Sequence, residues 1–454
     1  MVNLNLRDLQ IAYRRWVTAS VNRRIFGAAA TVALMTALVR VMSMGKELLV
    51  AWRFGTSDAL DAFLVAYLVP SFTVSIVVGS FNAALIPIYI KVKNTDGVLA
   101  AEKLLGGVMV WSLGLLAIAT AIILVGAPVY LPVLAGGFTA EKLQLARELL
   151  YVLSPVIAFS GVATLWGAVL NADKRFALPA LFPIATPLLA MVAVILGGRL
   201  WGAFALAAGV VCGQIVEALL MGLALRWQGI SLRLAWHGFD PNLRQVIGLY
   251  VPMIAGALLM SSTQIVDQAM AATLAPGSVA ALNYGNKVIL LPVSLAVTAL
   301  GTAVIPYFSD MVAREEWAGV RHTLSRYLGL IFVTTIPVTL LLFAVSGPLV
   351  RLLFQRGAFT AQDAAVVANV QALSSLQIPF FVAGILVVRL ISSMRANYIL
   401  MWSAAINVVV NVALNYLFMI WMGVAGIALS TSCMYVLSFL FLFYAWRRLS
   451  KRRP

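Results

Sequence analysis

The chain has 454 residues, of which 62% are hydrophobic and 11% charged, and it carries a formal net charge of +16. Soluble proteins carry roughly 25% charged residues, and no soluble core of this size buries so many long apolar runs; the bilayer has to be their solvent. The positive balance does not point to nucleic acid either, because the basic residues sit in short loops between the apolar runs.

The leader, residues 1–24, mixes Leu9, Ile11, Trp16 and Val17 with Arg7, Arg14, Arg15, Arg23 and Arg24. It reads either as a helix lying on an anionic membrane surface or as a tail with stop-transfer charges. The first apolar run starts near Ile25 without an A-x-A-like exit, so it is no cleavable signal peptide. A spanning helix needs about 20 mostly apolar residues. Runs of that kind predict helices over 25–47, 59–90, 103–125, 148–171, 176–198, 201–226, 244–273, 280–309, 323–346, 363–394, 398–420 and 423–446. The expected fold is an all-α polytopic membrane protein of about twelve transmembrane helices. The expected parts are a six-helix lobe at 25–226, a linker at 227–243, a second lobe at 244–446 and a basic tail at 447–454. Cys212 and Cys433 fall inside apolar runs and give neither a disulfide framework nor metal spacing.

Orientation follows from Lys and Arg in the loops. With the N-terminus inside, the cytoplasmic segments hold 22 of them and the opposite loops six: Arg53, Lys142, Arg147, Arg199, Arg351 and Arg356. Both termini are therefore expected in the cytoplasm.

The two halves resemble each other. Gly137-Phe138-Thr139-Ala140-Glu141 recurs as Ala358-Phe359-Thr360-Ala361-Gln362; Lys174 aligns with Arg395 and Cys212 with Cys433, all at an offset of 221. Leu85-Ile86-Pro87 pairs with Val304-Ile305-Pro306 at nearly that offset. Repeats of six helices are parallel, which predicts a pseudo-twofold axis along the membrane normal and a central cavity between two rocking lobes. Pro70, Pro155, Pro252, Pro292 and Pro337 supply either working bends or fixed kinks.

Charges inside spans cost about 2.5–3.5 kcal/mol each on the insertion scale and mark pathways by default. The basic ones are Arg40, Lys46, Lys287 and Arg389; the acidic ones are Glu47, Asp61, Glu217 and Asp267. Arg40, Lys46 and Lys287 either line the outer part of a cationic cavity or snorkel to the outer interface. Arg40 and Glu47 are two turns apart on one helical face. Asp61, in the first turn of the second helix, suits the helix dipole. Asn407, Asn411 and Asn415 repeat every four residues along the eleventh helix. The stripe is either interhelical glue or, with Asp267, an oxygen site for a coupling cation. No phosphate-binding loop, H-E-x-x-H or G-x-S-x-G occurs, so neither an enzyme nor a built-in ATP motor is expected.

Several segments, in order, carry a resemblance. Arg40-Val41-Met42-Ser43-Met44-Gly45-Lys46-Glu47, then Phe54-Gly55, Asp61-Ala62-Phe63 and Pro70 resemble the start of the MurJ/MviN family, within the multidrug/oligosaccharidyl-lipid/polysaccharide exporter superfamily. Gly277-Ser278-Val279, Tyr284 to Lys287, Pro292, Leu300-Gly301-Thr302, Ile305-Pro306, Leu353-Phe354-Gln355 and Phe359-Thr360 extend it, over about residues 25–446. The resemblance implies a bacterial inner-membrane flippase for lipid II, the undecaprenyl-diphosphate-linked peptidoglycan precursor. It implies a basic cavity for the diphosphate and sugars, in which Arg40 matches a cavity arginine. Lys46 and Lys287 stand where the family has arginines, and Glu47 where it has an aspartate. Glu47 and Asp61 complete the expected substrate-binding set. Lysine keeps the charge but loses the bidentate fork. The resemblance also implies a sodium site at Asn407 and Asn411, which Asp267 would join; Na+ or H+ is the expected coupling ion, with no other cofactor.

Two departures stand out: no base follows Pro70 in Ser71-Phe72-Thr73-Val74-Ser75, where the family has an arginine pair, and twelve helices are read where the family usually has fourteen. They leave an exopolysaccharide or O-antigen unit beside lipid II as cargo, with membrane lipids and glycan polymerase or synthesis machinery as expected partners. The alternative is a cation-coupled efflux antiporter of the same superfamily, which would want an acidic cavity.

Overall fold

The computed structural model describes residues 21–230, 236, 238–303, 305–394 and 396–450. Most of the basic leader, part of the 227–243 linker, Val304, Arg395 and the last four tail residues lie outside the described residues.

The described elements are all helical. In chain order they are α1 (Val21–Phe54), α2 (Asp58–Thr95), α3 (Val98–Leu134), α4 (Ala140–Leu153), α5 (Pro155–Ala172), α6 (Ala177–Leu181), a 3-10 turn (Phe182–Ile184), α7 (Ala185–Gly197) and α8 (Ala203–Trp227). The second half continues with α9 (Pro241–Ala272), α10 (Ser278–Ala303), α11 (Ile305–Ala313), α12 (Trp317–Ala344), α13 (Ser346–Phe354), α14 (Ala361–Ser375), α15 (Ile378–Ser393), α16 (Asn397–Met422) and α17 (Val424–Ser450). The described residues of each segment predicted as a span are mostly helical. Among the described residues, eight helices are long and apolar enough to cross a membrane, or nine if the bent pair α14–α15 is one span.

Three local differences have physical causes. α4 begins at Ala140 rather than near 148, because its first turns are amphipathic and escape a search for continuous apolar runs. The predicted 176–198 helix is interrupted by the 3-10 turn at Phe182–Ile184, which contains Pro183 and so lacks a backbone donor. The predicted 363–394 helix bends by 41° between α14 and α15, just before Pro379.

The surface is that of a membrane protein. Val125, Val129 and Val133, one helical turn apart on α3, are 76–80% exposed, and Leu196, Leu340, Leu341 and Trp421 also lie bare. Water would not tolerate so much contiguous apolar area; lipid does.

The chain forms two compact units. The first contains the described parts of Met1–Leu49, Thr73–Ile122 and Val152–Pro252. In it α8 lies close against α7: a Cβ on Gly213 would come 3.1 Å from the Thr186 nitrogen. The Tyr250 hydroxyl donates to the Val77 carbonyl at 2.9 Å, and Lys93 pairs with Asp173.

The second unit contains the described parts of Val50–Phe72, Ile123–Tyr151 and Met253–Pro454. Part of its core is apolar packing of Ile289, Phe308, Leu324, Leu386 and Phe439. Phe443 stacks on Trp446 at 5.6 Å and carries the Arg447 guanidinium 4.8 Å above its ring. The repeated Phe-Thr-Ala motif has the same local role in each half: it starts a helix. Thr139 accepts from the Lys142 backbone N–H at 3.3 Å ahead of α4. Thr360 and Asp363 form a reciprocal capping box ahead of α14.

Candidate functional site

Three groups of polar residues stand out in the described structure, two in the second unit and one in the first.

The first group pins the turn between α1 and α2. Asp61 accepts from Lys142 at 2.9 Å and from the backbone N–H groups of Gly277 at 2.7 Å and Ala280 at 2.8 Å. Its carboxylate thus caps the N-terminus of α10, where free N–H groups and the helix dipole favour an anion. Lys142 also reaches Asp58 at 2.5 Å and lies over the Phe138 ring at 4.1 Å. Only 2% of the Asp61 side chain and 8% of that of Lys142 is exposed. Alongside, the Thr56 hydroxyl donates to Asp363 at 2.5 Å, Ala358 N–H donates to the Trp52 carbonyl at 2.8 Å and the Tyr284 hydroxyl donates to the Gly55 carbonyl at 3.3 Å.

The glycines of this latch have little freedom. Gly55 (φ +57°) and Gly277 (φ +85°) take left-handed backbone, and a Cβ on either would sit 2.5 Å from a carbonyl oxygen, of Ala358 and of Thr56 respectively. Phe54-Gly55, Asp61-Ala62-Phe63, Gly277-Ser278-Val279 and Phe359-Thr360, scattered in the sequence, meet in one place. Lys142 was not singled out in the sequence. The one signal was the repeat: at the offset of 221 Lys142 aligns with Asp363, and both grip the same turn.

The second group surrounds Asp267 on α9. Asn411 and Asn415 of α16 donate to Oδ1 at 3.0 and 2.7 Å, and Thr431 of α17 donates to Oδ2 at 3.0 Å. All the donors are neutral. Asn415 Oδ1 is buried without a hydrogen-bond partner. Asn407 points elsewhere, donating to Ser438 at 3.0 Å. The structure therefore brings Asp267 and Asn411 together and adds Asn415 and Thr431. The asparagine stripe was legible in the sequence, whereas Thr431, 164 residues from Asp267, was not. The set offers carboxylate, amide and hydroxyl oxygens, the ligand types a hard cation takes, and the orphaned Asn415 oxygen gives it an unfilled acceptor.

The third group lies on the first unit. Lys46 pairs with the buried Glu47 at 2.9 Å. It lines a cavity of about 260 Å³ with Ser43, Ser160, Thr186, Gln214 and Glu217. Arg40, two turns before Glu47 on α1, is exposed in the midst of an apolar helix. Lys287 of α10 is half-buried in the second unit and Arg389 of α15 is exposed.

The profile of the family described as "Lipid II flippase MurJ" matches residues 50–453. The chain belongs to the MurJ lipid II flippase family. A lipid II flippase MurJ of Burkholderia cenocepacia is 27% identical over 449 residues, covering 95% of this chain and 85% of the relative. A probable lipid II flippase MurJ of Synechocystis is 27% identical over 433 residues, covering 90% and 79%. Among solved structures, a lipid II flippase MurJ in an inward closed conformation superimposes with a TM-score of 0.78 at 21% identity, covering 92% of this chain and 87% of the other. An inward-facing multidrug resistance MATE family transporter of the MOP superfamily gives 0.73 at 12% identity, covering 93% and 98%. These two show a shared fold. The all-α multi-span membrane architecture read from the sequence is confirmed, and the family is one of transporters, not of catalytic enzymes.

Proposed function

We propose that the protein carries a lipid II-type polyprenyl-diphosphate-linked saccharide from the inner to the outer leaflet of the bacterial inner membrane by alternating access. The observation that carries this reading is the match of residues 50–453 to the lipid II flippase family. Relatives covered over most of their length bear the same name, which favours lipid II over another glycan and places efflux of small molecules behind both. Both termini are taken as cytoplasmic, from the distribution of basic residues in the loops.

The chemistry is charge recognition. Arg40, Lys46 and Lys287 receive the diphosphate, and Glu47 holds Lys46 at 2.9 Å until an anion competes for it. Each is worth more in a dry cavity than in water. The moving parts are the lobes 25–226 and 244–446, with the 227–243 linker, the 1–24 leader and the 447–454 tail at the cytoplasmic face.

Within the second unit, segments 50–72 and 123–151 of the first lobe pack with residues 253–454. The Asp61–Lys142 latch holds them on the side the loop charges assign as extracytoplasmic. Release of the latch is the proposed step that frees these segments. Asp267 with Asn411, and Asn415 and Thr431 beside them, would hold the coupling cation, Na+ or H+; Asn407 sits one turn further along the same stripe. A bound cation neutralises the Asp267 carboxylate. Glycan polymerase or synthesis machinery is the proposed consumer of the product.

Depletion of the protein in its host, followed by mass spectrometry of lipid-linked intermediates, tests the reading. Lipid II is expected to accumulate, with lysis. Accumulation of another polyprenyl-linked oligosaccharide in intact cells would replace lipid II as cargo, and no accumulation at all in a host without a second flippase would end the flippase reading. Arg40→Ala should abolish complementation with the protein still in the membrane; full complementation removes Arg40 from the site.

A further inference from the structure

We infer that the cavity around Glu217 in the first unit is a subsite for an organic ammonium group, carried by the cargo as an amino-acid side chain or amino sugar; this rests on the reading of a saccharide cargo. Glu217 lies 14 residues into the 25-residue α8, about 21 Å from its first residue, where an ion is costly. Its partners are neutral and distant: the Thr186 hydroxyl at 3.3 Å and the Gln214 amide at 3.4 Å. Gln214 is itself committed, donating to Thr186 at 2.8 Å and accepting from the Ser160 hydroxyl.

Among the described residues, no basic side chain hydrogen-bonds this carboxylate. The elements packed beside α8, namely α5, α6, the 3-10 turn and α7, contain no ionisable residue. α1 carries Arg40, Lys46 and Glu47 in this stretch: Lys46 lines the cavity and pairs with Glu47 at 2.9 Å, and Arg40 is exposed and outside the cavity lining. Among the described residues, Glu217 thus faces the cavity with only neutral hydrogen-bond partners, and a cationic guest completes it.

The backbone points the same way. The cavity wall includes Pro183 and Pro187, at the interruption between α6 and α7. Irregular backbone at membrane depth is tolerated where it is buried in protein or lines a cavity, and broken helices build substrate sites in transporters. The close approach of Gly213 to Thr186, with a would-be Cβ 3.2 Å from the Ala185 carbonyl oxygen, holds α8 and the broken segment in register. Size separates an organic guest from a bare ion: about 260 Å³ is the liquid volume of several waters at ~30 Å³ each.

The test uses the full chain in vesicles with two probes: lipid II carrying a lysine-containing peptide with its ε-amine free, and the same molecule with that amine acetylated. Initial translocation rates at limiting substrate give a ratio that cancels differences in the amount of folded protein. The wild type should favour the free amine about tenfold, as expected for a charge-assisted contact. Glu217→Gln should bring the ratio near one, and Glu217→Asp should keep a preference. A wild-type ratio near one overturns the subsite and leaves the flippase reading standing. So does an unchanged ratio in Glu217→Gln, or a parallel slowing of both probes with a shifted proton dependence, which would mark a proton site. If the wild type moves neither probe, the flippase reading itself fails and the subsite falls with it.

Discussion

Asp61 and Asp267 are both carboxylates of the second unit, each on a long helix, and their surroundings differ in one respect. Asp61 has a lysine at 2.9 Å and two backbone N–H groups within 2.8 Å. Asp267 has two amides and a hydroxyl and, among the described residues, no cation in hydrogen-bond contact. A buried charge has to be both paired and hydrogen-bonded. Asp61 meets both conditions from within the chain, so it suits a structural latch. Asp267 meets only the second, so it suits a site whose counter-charge comes from solution.

The harshest way to break the comparison is to strip Asp61 of its partner. Lys142→Met leaves a buried carboxylate without its cation, and removing one member of a buried pair costs about 3–5 kcal/mol. Thermal unfolding in detergent should show a fall of that order, with loss of translocation. The double change Asp61→Asn with Lys142→Met removes both charges and should regain much of the lost stability. If the double variant is no more stable than Lys142→Met alone, the pair is not what holds the latch.

Removing the charge that lacks a partner should act differently. For Asp267→Asn the expected loss is the response to cations. In the wild type, NaCl should raise the unfolding temperature more than choline chloride at equal ionic strength, by up to ~2.7 kcal/mol of stabilisation at a hundredfold excess over Kd. The variant should respond equally to both salts. Equal responses in the wild type as well would exclude sodium and leave the proton as coupling ion.

What the sequence made legible follows the same division. Helix positions were readable because a bilayer imposes a continuous apolar requirement on each span. The exceptions are places where local chemistry overrides that run: the amphipathic start of α4, the Pro183 turn and the bend before Pro379. Asp61, Asp267, Glu47 and Lys46 were readable as charges in apolar surroundings. Their partners were not. Lys142 is 81 residues from Asp61 and counts as an ordinary loop base. Thr186, 31 residues before Glu217, is a neutral hydroxyl among many. Pairing at such distances is set by helix packing, which hydropathy does not encode. The internal repeat gave the one usable hint, since it places Lys142 and Asp363 in register.

A milder perturbation of the latch tests whether its second contact shares the load. Thr56→Val keeps the shape and removes the hydroxyl that Asp363 accepts at 2.5 Å. A hydrogen bond to a charged group is worth about 1.5–3 kcal/mol. Asp363 keeps its capping contact with the Thr360 N–H at 2.7 Å, so the loss should fall at the lower end, ~1.5 kcal/mol. Unfolding should move accordingly, and less than in Lys142→Met. A loss as large as that of Lys142→Met would make Asp363, rather than Asp61, the main anchor of the turn.

The finest test distinguishes neighbours on one helix face. Asn411 and Asn415 both reach Asp267, whereas Asn407, one turn earlier on α16, is engaged with Ser438. Asn415 also carries the orphaned oxygen, so its removal takes away both a donor to the carboxylate and an open acceptor for a cation. Asn415→Ala should weaken the cation response about tenfold in midpoint, the size of a single lost contact of roughly 1.4 kcal/mol. Asn407→Ala acts only through the orientation of its neighbours, and its shift should be smaller, roughly twofold. Titration of thermal stability with NaCl on the two variants gives the order directly. If Asn407→Ala has the larger effect, the cation sits one turn nearer the start of α16 than the hydrogen bonds to Asp267 imply, and the open oxygen of Asn415 needs another occupant.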